Sequence, residues 1–259
     1  MKKFCLTFDI EEFDIAKGIS EEEMYSVSAE GTKKIIKLLE GEGIKATFFV
    51  TASFALKYPK LINEIGREHE IGCHGYSHRE EYEKIDDENA YKLIKKSKNE
   101  LEKITGKEII GFRAPRMKLI NSQIIKKAGF KYDASLLPAC IPGRYSDFFK
   151  PRKMHTKNGL VIIPTSVTPI LKIPLIWYGF RNFGLLYAKS CTRISSINNS
   201  YASMYFHPWE FMDLEKYYMS KAIKKNTGEK MEDMLRNYIR WCRNRYSFAT
   251  MKELLNLNL

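Results

Sequence analysis

Two histidines one helical turn apart are the first residues that suggest chemistry. The stretch HGYSH places His74 and His78 four residues apart, so a helical turn or tight loop brings both imidazoles to one side. Imidazole nitrogen is a good ligand for zinc, iron, cobalt or nickel. Such pairs also occur on ordinary surface turns, and Cys73 beside them would point to the opposite strand face. Taken alone, the pair is a weak indication of a metal site.

Carboxylates follow the first apolar run, in the stretch DIEEFD. A carboxylate at Asp9 is costly at the end of a buried strand unless it is paired, hydrogen-bonded or bound to metal. Asp9 and Glu11 are two residues apart and share one facing. One of them could complete a two-histidine, one-carboxylate site while the other takes a proton from water activated by the metal. An acidic cluster at a helix N-terminus is the alternative.

Three further side chains could support such a reaction. Arg113, in FRAPR, could hold a catalytic carboxylate through a bidentate contact, or it could be an ordinary surface arginine. His207 emerges from an apolar strand and could protonate a leaving amine, with Asp133 as the candidate acceptor that orients its ring. A core histidine satisfied by backbone is the alternative. Trp209 could form a flat apolar wall suited to a sugar ring.

The elements that must position these residues alternate between strand and helix patterns. The apolar runs predict strands at Lys3–Phe8, Ala46–Thr51, Glu70–Cys73, Ile109–Phe112, Gly159–Pro164, Ala202–Phe206 and Tyr246–Ala249. Helical spacing and caps predict helices at Ser28–Glu42, Pro59–Glu68, Asp87–Thr105, Asn121–Ala128 and Lys230–Asn244, with a short one through Leu255. This alternation predicts an α/β fold with parallel strands. Each group of unusual residues follows a strand, and in a parallel barrel those ends share one face.

Bulk composition limits the classes of protein. The length of 259 residues suits one large α/β domain, and we expect a single domain over 1–259. Hydrophobic residues at 44% and charged residues at 29% argue against disorder. The net charge of +12 favours anionic partners, but the basic residues are dispersed and carry no nucleic-acid motif. Five cysteines without a CxxC pair indicate reduced thiols rather than a disulfide framework.

The chain also bears on location. Its N-terminal apolar run is too short for a signal peptide, and no stretch approaches about 20 uninterrupted apolar residues. We therefore expect a cytoplasmic protein, peripheral at the inner membrane face. The segment Leu160–Ala188 is apolar and aromatic with interspersed cations, as in ordinary core or in a surface that touches lipid or polyprenyl chains. The second reading suggests a nucleotide- or lipid-phosphate-linked sugar as substrate.

Five short motifs together carry a family resemblance. In order, TFDIE, HGYSH, FRAP, YDAS and FHPWEF resemble the polysaccharide deacetylases of the NodB-homology group, carbohydrate esterase family 4, from Phe4 to Phe211. The match is closest to the subgroup with Asp-x-Glu in the first motif and His-Pro-Trp-Glu-Phe in the last. The resemblance implies an irregular (β/α)7 barrel. It also implies a divalent metal, Zn²⁺ first, with Co²⁺, Ni²⁺ or Fe²⁺ as alternatives.

The resemblance also assigns roles by position. It implies Asp9 as the base, Arg113 as its tether, His207 as the acid and Asp133 as the support of that acid. It implies that the metal is held by Glu11, His74 and His78. The backbone N–H at Arg116 would bind the oxyanion.

Two departures from the family pattern matter. The usual Asp-Asp of the first motif is Asp9-Ile10-Glu11 here, so Glu11 has a longer reach and Glu12 could compete as a ligand. YDASLLP replaces the usual tryptophan-bearing fourth motif, which weakens any inference about the substrate.

The expected function is metal-dependent hydrolysis of the N-acyl amide, above all N-acetyl, of an amino sugar. The sugar would belong to a polysaccharide or to a lipid- or nucleotide-linked glycan. One alternative is a deformylase or other amide hydrolase that acts on a lipid-linked or small amide. The other is a carbohydrate-binding protein without catalysis.

Overall fold

Parallel strands form the centre of the molecule. The structure is a computed structural model that describes residues 1–256. Its strands are β1 (Lys3–Ile10), β2 (Thr47–Val50), β3 (Glu70–Cys73), β4 (Gly111–Phe112), β5 (Tyr132–Asp133), β6 (Cys140–Ile141), β7 (Tyr145–Ser146), β8 (His155–Lys157), β9 (Leu160–Ile162), β10 (Tyr201–Phe206) and β11 (Ser247–Phe248). The helices are α1 (Glu21–Glu42), α2 (Ala52–Lys57), α3 (Pro59–Glu68), α4 (Asp87–Thr105), α5 (Ser122–Lys127), α6 (Trp177–Ser195), α7 (Lys221–Lys224), α8 (Glu229–Arg243) and α9 (Met251–Asn256).

The main sheet confirms the predicted α/β class. Its order is β10-β1-β2-β3-β4-β5-β9-β8, with β11 added beside β1. The neighbouring strands pair in parallel except β8, which runs antiparallel to β9. The sheet curls into an irregular barrel. This barrel stays open between β8 and β10, because these strands do not pair with each other within the described part of the chain. The separate hairpin β6–β7 lies outside this sheet.

Alternation along β1 decides which side chains can reach the site. Phe4, Leu6 and Phe8 join the large apolar core, whereas Cys5 belongs to a second cluster that also contains Met251, Leu254 and Leu255 of α9. Since side chains alternate across a strand, Thr7 and Asp9 share the facing of Cys5. The second cluster therefore fills the inside of the curl beneath Asp9, and α9 contributes to it.

Helix α1 begins earlier than the predicted start at Ser28. Ser20 caps it by accepting a hydrogen bond from the backbone N–H of Glu23, and three acidic residues in the first turn suit the helix dipole. Farther along, a Cβ added at Gly31 would lie 2.0 Å from the carbonyl oxygen of Pro208. Only glycine allows this close approach, which packs α1 against the turn that follows β10.

The short elements and α6 are where prediction and structure differ. The strands β5, β6, β7 and β8 have two or three residues each, too few to show a period. Helix α6 occupies part of the apolar segment Leu160–Ala188, where aromatic and aliphatic residues mask helical spacing, and it is kinked at Gly184 (φ 74°, ψ −166°). Within residues 1–256, no helix has both the length and the apolar run needed to cross a bilayer.

Candidate active site

The predicted functional residues converge at the carboxyl ends of the parallel strands. A cavity of about 580 Å³ opens there, and its lining includes Asp9, Glu11, His74, His78 and His207. These residues come from β1, from the loop after β1, from the loop after β3 and from the residue after β10. A parallel sheet gathers those strand ends at one edge, which brings the predicted residues together in the structure.

Glu11 lies between the two histidines. Its Oε2 is 3.0 Å from Nε2 of His74 and 3.2 Å from Nε2 of His78. The side chains of Glu11 and His74 are almost fully buried, and that of His78 is largely so. Three donor atoms of the types that divalent transition metals prefer thus meet at one point.

The far side of each imidazole is anchored. Nδ1 of His74 lies 2.8 Å from the carbonyl oxygen of Arg113, an acceptor, so this nitrogen carries the proton. Nδ1 of His78 lies 2.9 Å from a carboxylate oxygen of Asp14, which is an acceptor as well. With each Nδ1 directed at an acceptor, Nε2 is the nitrogen that would offer its lone pair to a cation, as in the outer contacts of histidine ligands. Asp14, not assigned a role from sequence, belongs to the site.

The donor set fits a divalent cation in its chemistry. Ligand atoms at about 2.0–2.2 Å from a tetrahedral Zn²⁺ would stand roughly 3.3 Å apart. The distances from the Glu11 oxygen to the two imidazole nitrogens would therefore have to increase only slightly. As the side chains stand, no group of three His, Cys, Asp or Glu within residues 1–256 has a geometry that could hold a metal ion, so Glu11 and the imidazoles would have to move to admit one. Burial opposes the protonation of His78, but Glu11 and Asp14 outweigh it and raise its pKa to about 9. A cation would have to displace this proton.

Glu12, the competing candidate, faces a different set of partners. Its carboxylate accepts hydrogen bonds from the hydroxyls of Tyr25, Thr51 and Ser53 and from the backbone N–H of His78. These contacts hold the loop that carries His78 against β1 and α2. They satisfy the carboxylate away from the imidazole Nε2 atoms, so the geometry favours Glu11 as the ligand.

Asp9 and Arg113 form a buried ion pair. Nη1 of Arg113 donates to Oδ1 of Asp9 at 2.6 Å and to the hydroxyl of Thr7 at 2.9 Å, while Nε donates to the carbonyl of Ala134. Burial is the largest effect and would raise the pKa of Asp9, but the charge and hydrogen bond of Arg113, together with the charges of His74 and His207, hold that pKa below its usual value. The contact is through one nitrogen rather than bidentate. Asp9 is therefore held as a carboxylate beside the histidines.

His207 is oriented by Glu210, not by Asp133. Its Nδ1 lies 3.0 Å from Oε1 of Glu210, and its backbone N–H donates to the same oxygen at 2.7 Å. The other oxygen of Glu210 accepts from Nη2 of Arg181 at 2.6 Å, and this pair is fully buried. Burial lowers the pKa of His207, but the bond to Glu210 and the charges of Glu11 and Glu210 outweigh it and raise that pKa.

Asp133 instead supports the loop after Arg113. Its Oδ1 accepts from the backbone N–H of Ser135 at 2.8 Å and from the Ser135 hydroxyl, and that hydroxyl accepts from the backbone N–H of Ala114. The prediction that Asp133 orients His207 is corrected on this point, because its oxygens are turned to Ser135. Burial raises the pKa of Asp133 to about 6, against the opposing effect of these hydrogen bonds.

Trp209 supports the histidine ring. The indole is buried and stacks on the imidazole of His207 at 5.0 Å between centroids, with 15° between the planes. Trp177 meets the edges of both rings, and the guanidinium of Arg181 lies 5.2 Å from the Trp209 ring. One face of Trp209 is therefore used inside the protein, although the residue also lines the cavity.

Arg116 stands at the predicted oxyanion position with unusual backbone. Its φ is 54° and ψ 16°, in the left-handed region that non-glycine residues seldom adopt. Two contacts hold Arg116 there. Its guanidinium donates to the carbonyl of His78 at 2.8 Å, and the hydroxyl of Tyr145 donates to the carbonyl of Arg116 at 3.1 Å. Within residues 1–256, its backbone N–H makes none of the backbone hydrogen bonds of the turn.

Sequence comparison identifies the family. The polysaccharide deacetylase family model matches residues 2–132, about half of the chain. The chain belongs to the polysaccharide deacetylase family. It is 29% identical over 161 residues to a peptidoglycan deacetylase-like protein of Gibberella zeae, which covers 57% of this chain and 47% of that protein. It is 30% identical over 129 residues to a peptidoglycan deacetylase of Helicobacter pylori, which covers 48% and 41%. The chain therefore spans about half the length of these relatives.

Structural comparison agrees on the fold. A solved structure from Mycobacterium smegmatis, described as a polysaccharide deacetylase by resemblance, aligns with a TM-score of 0.67 at 20% identity. The alignment covers 97% of this chain and 88% of the other. At this identity the likeness establishes the architecture, and it confirms the expected deacetylase-type barrel.

Proposed function

We propose that this protein hydrolyses the N-acyl amide of an amino sugar, above all an N-acetyl group, with a divalent cation held by Glu11, His74 and His78. The observation that carries the proposal is their convergence in one cavity with Asp9 and His207. A pair of histidines alone, a carboxylate alone or a single histidine would each have an ordinary structural explanation. Their meeting supports hydrolytic chemistry.

Each side chain has a role that its contacts support. A bound cation would supply Lewis acidity that polarises the amide carbonyl and makes water more acidic. Asp9 would accept a proton from the attacking water, because its pairing with Arg113 keeps it ionised. Asp9 has one oxygen against Arg113, which leaves the other for this transfer.

The leaving group and the oxyanion need donors of their own. His207 would protonate the departing amine, since Glu210 holds the ring and favours its charged form. The backbone N–H of Arg116 would donate to the tetrahedral oxyanion, a contact worth about 3 kcal/mol in comparable sites. The left-handed backbone at Arg116 is the strained feature that supports this role.

The cavity supports a glycan substrate with an anionic part. Its volume of about 580 Å³ suits one or two sugar rings on the usual scale of ligand sites. Arg116 and Arg144 both line it, and neither forms an ion pair in the part of the chain that the structure describes. Guanidinium groups bind phosphate in a fork geometry. We therefore extend the proposal to a lipid- or nucleotide-phosphate-linked sugar beside N-acetylated polysaccharide.

The test is product analysis with the metal-loaded protein. Purified protein, reconstituted with Zn²⁺ or Co²⁺, is incubated with N-acetylglucosamine oligomers and with an N-acetylated nucleotide sugar, and released acetate, formate and free amine are measured. Acetate with an equimolar amine supports the proposal. Formate from an N-formyl sugar, without acetate, would assign a deformylase. Sugar binding with no release of either acid would contradict catalysis.

A further inference from the structure

A second surface, formed by residues outside the proposed catalytic set, has the character of a membrane contact. We propose that the apolar rim, defined by Phe149, Ile170, Leu171, Phe183 and Leu186, docks this protein onto an anionic lipid bilayer. This proposal goes beyond the proposed hydrolysis and does not depend on it. Four properties carry it, namely exposure, continuity, charge and the position of the cavity.

The rim side chains are far more exposed than large apolar residues usually are. Phe149 is 95% exposed, Ile170 83% and Leu171 72%, while Phe183 and Leu186 on α6 are 69% and 79% exposed. Single exposed hydrophobic residues need no explanation, but several on adjoining elements do. Together these five residues present a large apolar area to water.

Hydrogen bonds join the three segments that carry the rim. Backbone pairing of Val167 with Pro174 closes the hairpin that bears Ile170 and Leu171. Lys172 at its tip donates to the carbonyls of Phe148 and Lys150, on either side of Phe149. On the other side, the hydroxyl of Tyr187 in α6 donates to the carbonyl of Pro174. The exposed residues thus lie on one connected surface rather than on separate loops.

The charge of this region suits anionic headgroups. From residue 148 to residue 209 the sequence has eight Lys and Arg and no Asp or Glu. Lys150 pairs with Asp147 and the buried Arg181 with Glu210, so six of the eight form no ion pair within residues 1–256. Lysine and arginine near an anionic bilayer are attracted to its negative surface potential. Pairing of two copies through the rim would bring two predominantly basic surfaces together. Charge complementarity therefore favours lipid over a second copy of this chain.

The rim continues to the mouth of the cavity. Trp177 and Tyr178, at the start of α6, line the cavity, and Phe183 and Leu186 follow on the same helix. Tyr178 is itself partly exposed. An aromatic residue between apolar surface and polar cavity suits the headgroup level of a bilayer. Docking at the rim would place the cavity beside the lipid surface.

Vesicle sedimentation tests the proposal directly. The full chain is mixed with vesicles of phosphatidylcholine alone or with 30% phosphatidylglycerol, and the bound fraction is measured at about 50 and 500 mM NaCl. We expect the protein to bind the anionic vesicles and to bind the neutral vesicles at least tenfold more weakly. Binding to the anionic vesicles should be weaker at the higher salt concentration. The double variant Ile170→Ser/Leu171→Ser should reduce binding at least fivefold, with an unchanged circular dichroism spectrum.

Matched control variants distinguish binding through the rim from nonspecific adsorption to vesicles. Leu56→Ser removes a half-exposed leucine on α2, far along the chain from the rim, and should bind like the unaltered protein. Lys153→Glu/Arg193→Glu should weaken binding more than Lys60→Glu/Lys103→Glu, which changes the charge equally on α3 and α4. Absence of binding to anionic vesicles, or equal losses in both pairs, would overturn the proposal. A dimer that the Ile170→Ser/Leu171→Ser variant abolishes, without vesicle binding, would assign the rim to a second copy instead.

Discussion

Glu210 holds His207 twice, through the ring Nδ1 at 3.0 Å and through the backbone N–H at 2.7 Å. The same carboxylate is paired with the fully buried Arg181 on α6. Three residues thus form a chain from the helix to the proposed acid. Because the histidine is fixed from behind, its Nε2 faces the cavity and Glu11, whose Oε1 is 3.8 Å away.

Replacing Glu210 should therefore change the acid and not the substrate contacts. In Glu210→Gln, we expect kcat to fall about 10–100-fold with KM little changed, since general acid catalysis contributes about 10²–10⁴. Glu210 raises the pKa of His207, and the acid must be protonated, so the basic limb of the pH–rate profile should move to lower pH. The variant also leaves Arg181 buried without its partner, at a cost of about 3–5 kcal/mol in the free energy of unfolding.

A double variant separates the two effects of that change. Glu210→Gln/Arg181→Met removes the unpaired charge and should recover part of the stability in urea unfolding. The shift of the basic limb should remain, because the carboxylate is still missing. A double variant with a normal pH–rate profile would show that Glu210 acts on stability alone.

Arg113 should set the ionisation of the base. Burial would raise the pKa of Asp9, and Arg113 makes the largest contribution to the opposing effects that lower it; Asp9 must be deprotonated to accept a proton. In Arg113→Lys the fixed contact of Nη1 is lost, so the pKa of Asp9 should rise and the acidic limb should move to higher pH. Steady-state rates from about pH 3.5 to about pH 9, with the metal content measured at each pH, check this. An unmoved acidic limb would contradict the tether.

Asp14 should strengthen metal binding without touching the metal. Its carboxylate accepts from Nδ1 of His78 and so fixes the ring. Loss of such an outer contact typically costs 10–100-fold in affinity, and we expect that range for Asp14→Asn in a zinc competition titration. Asp147→Asn, which alters a surface pair with Lys150, is the matched control. Equal affinities for all three proteins would remove Asp14 from the site.

Asp133 should affect stability in a pH-dependent way. Its pKa is raised from 3.8 to about 6 in the folded protein, so its stabilising contribution is complete below pH 3.8 and is lost as pH rises through 6. Asp133→Asn stays neutral and can still accept from Ser135. Its stability should exceed that of the unaltered protein by about 3 kcal/mol at pH 7.5. The advantage should disappear near pH 4 in thermal unfolding, while activity stays within about threefold.

Much of this arrangement was predictable from sequence for a physical reason. Asp9, Glu11, His74, His78 and His207 all follow recognisable strands, and parallel strands gather their carboxyl ends. The helices Pro59–Glu68 and Asp87–Thr105 end where the structure ends them, because proline, an acidic cap and glycine are local signals.

The remainder depends on contacts that no local pattern encodes. Glu210 lies three residues after His207 inside the last motif, but its role depends on Arg181 of α6, whose helical spacing is masked by apolar residues. Asp133 was a candidate for orienting His207, yet its Oδ1 accepts from Ser135 two residues on. Side-chain direction within a two-residue strand is set by its neighbours and not by its own sequence.

The most direct test of the central claim compares Asp9→Asn with His74→Ala in the same two measurements. Metal content is determined by elemental analysis after loading with Zn²⁺, and acetate release is measured from an N-acetylated sugar oligomer. We predict that Asp9→Asn keeps about one metal ion per chain and loses at least about 10³-fold in rate, whereas His74→Ala loses both. Metal-loaded Asp9→Asn protein with full activity, or His74→Ala protein with full metal content, would contradict the account.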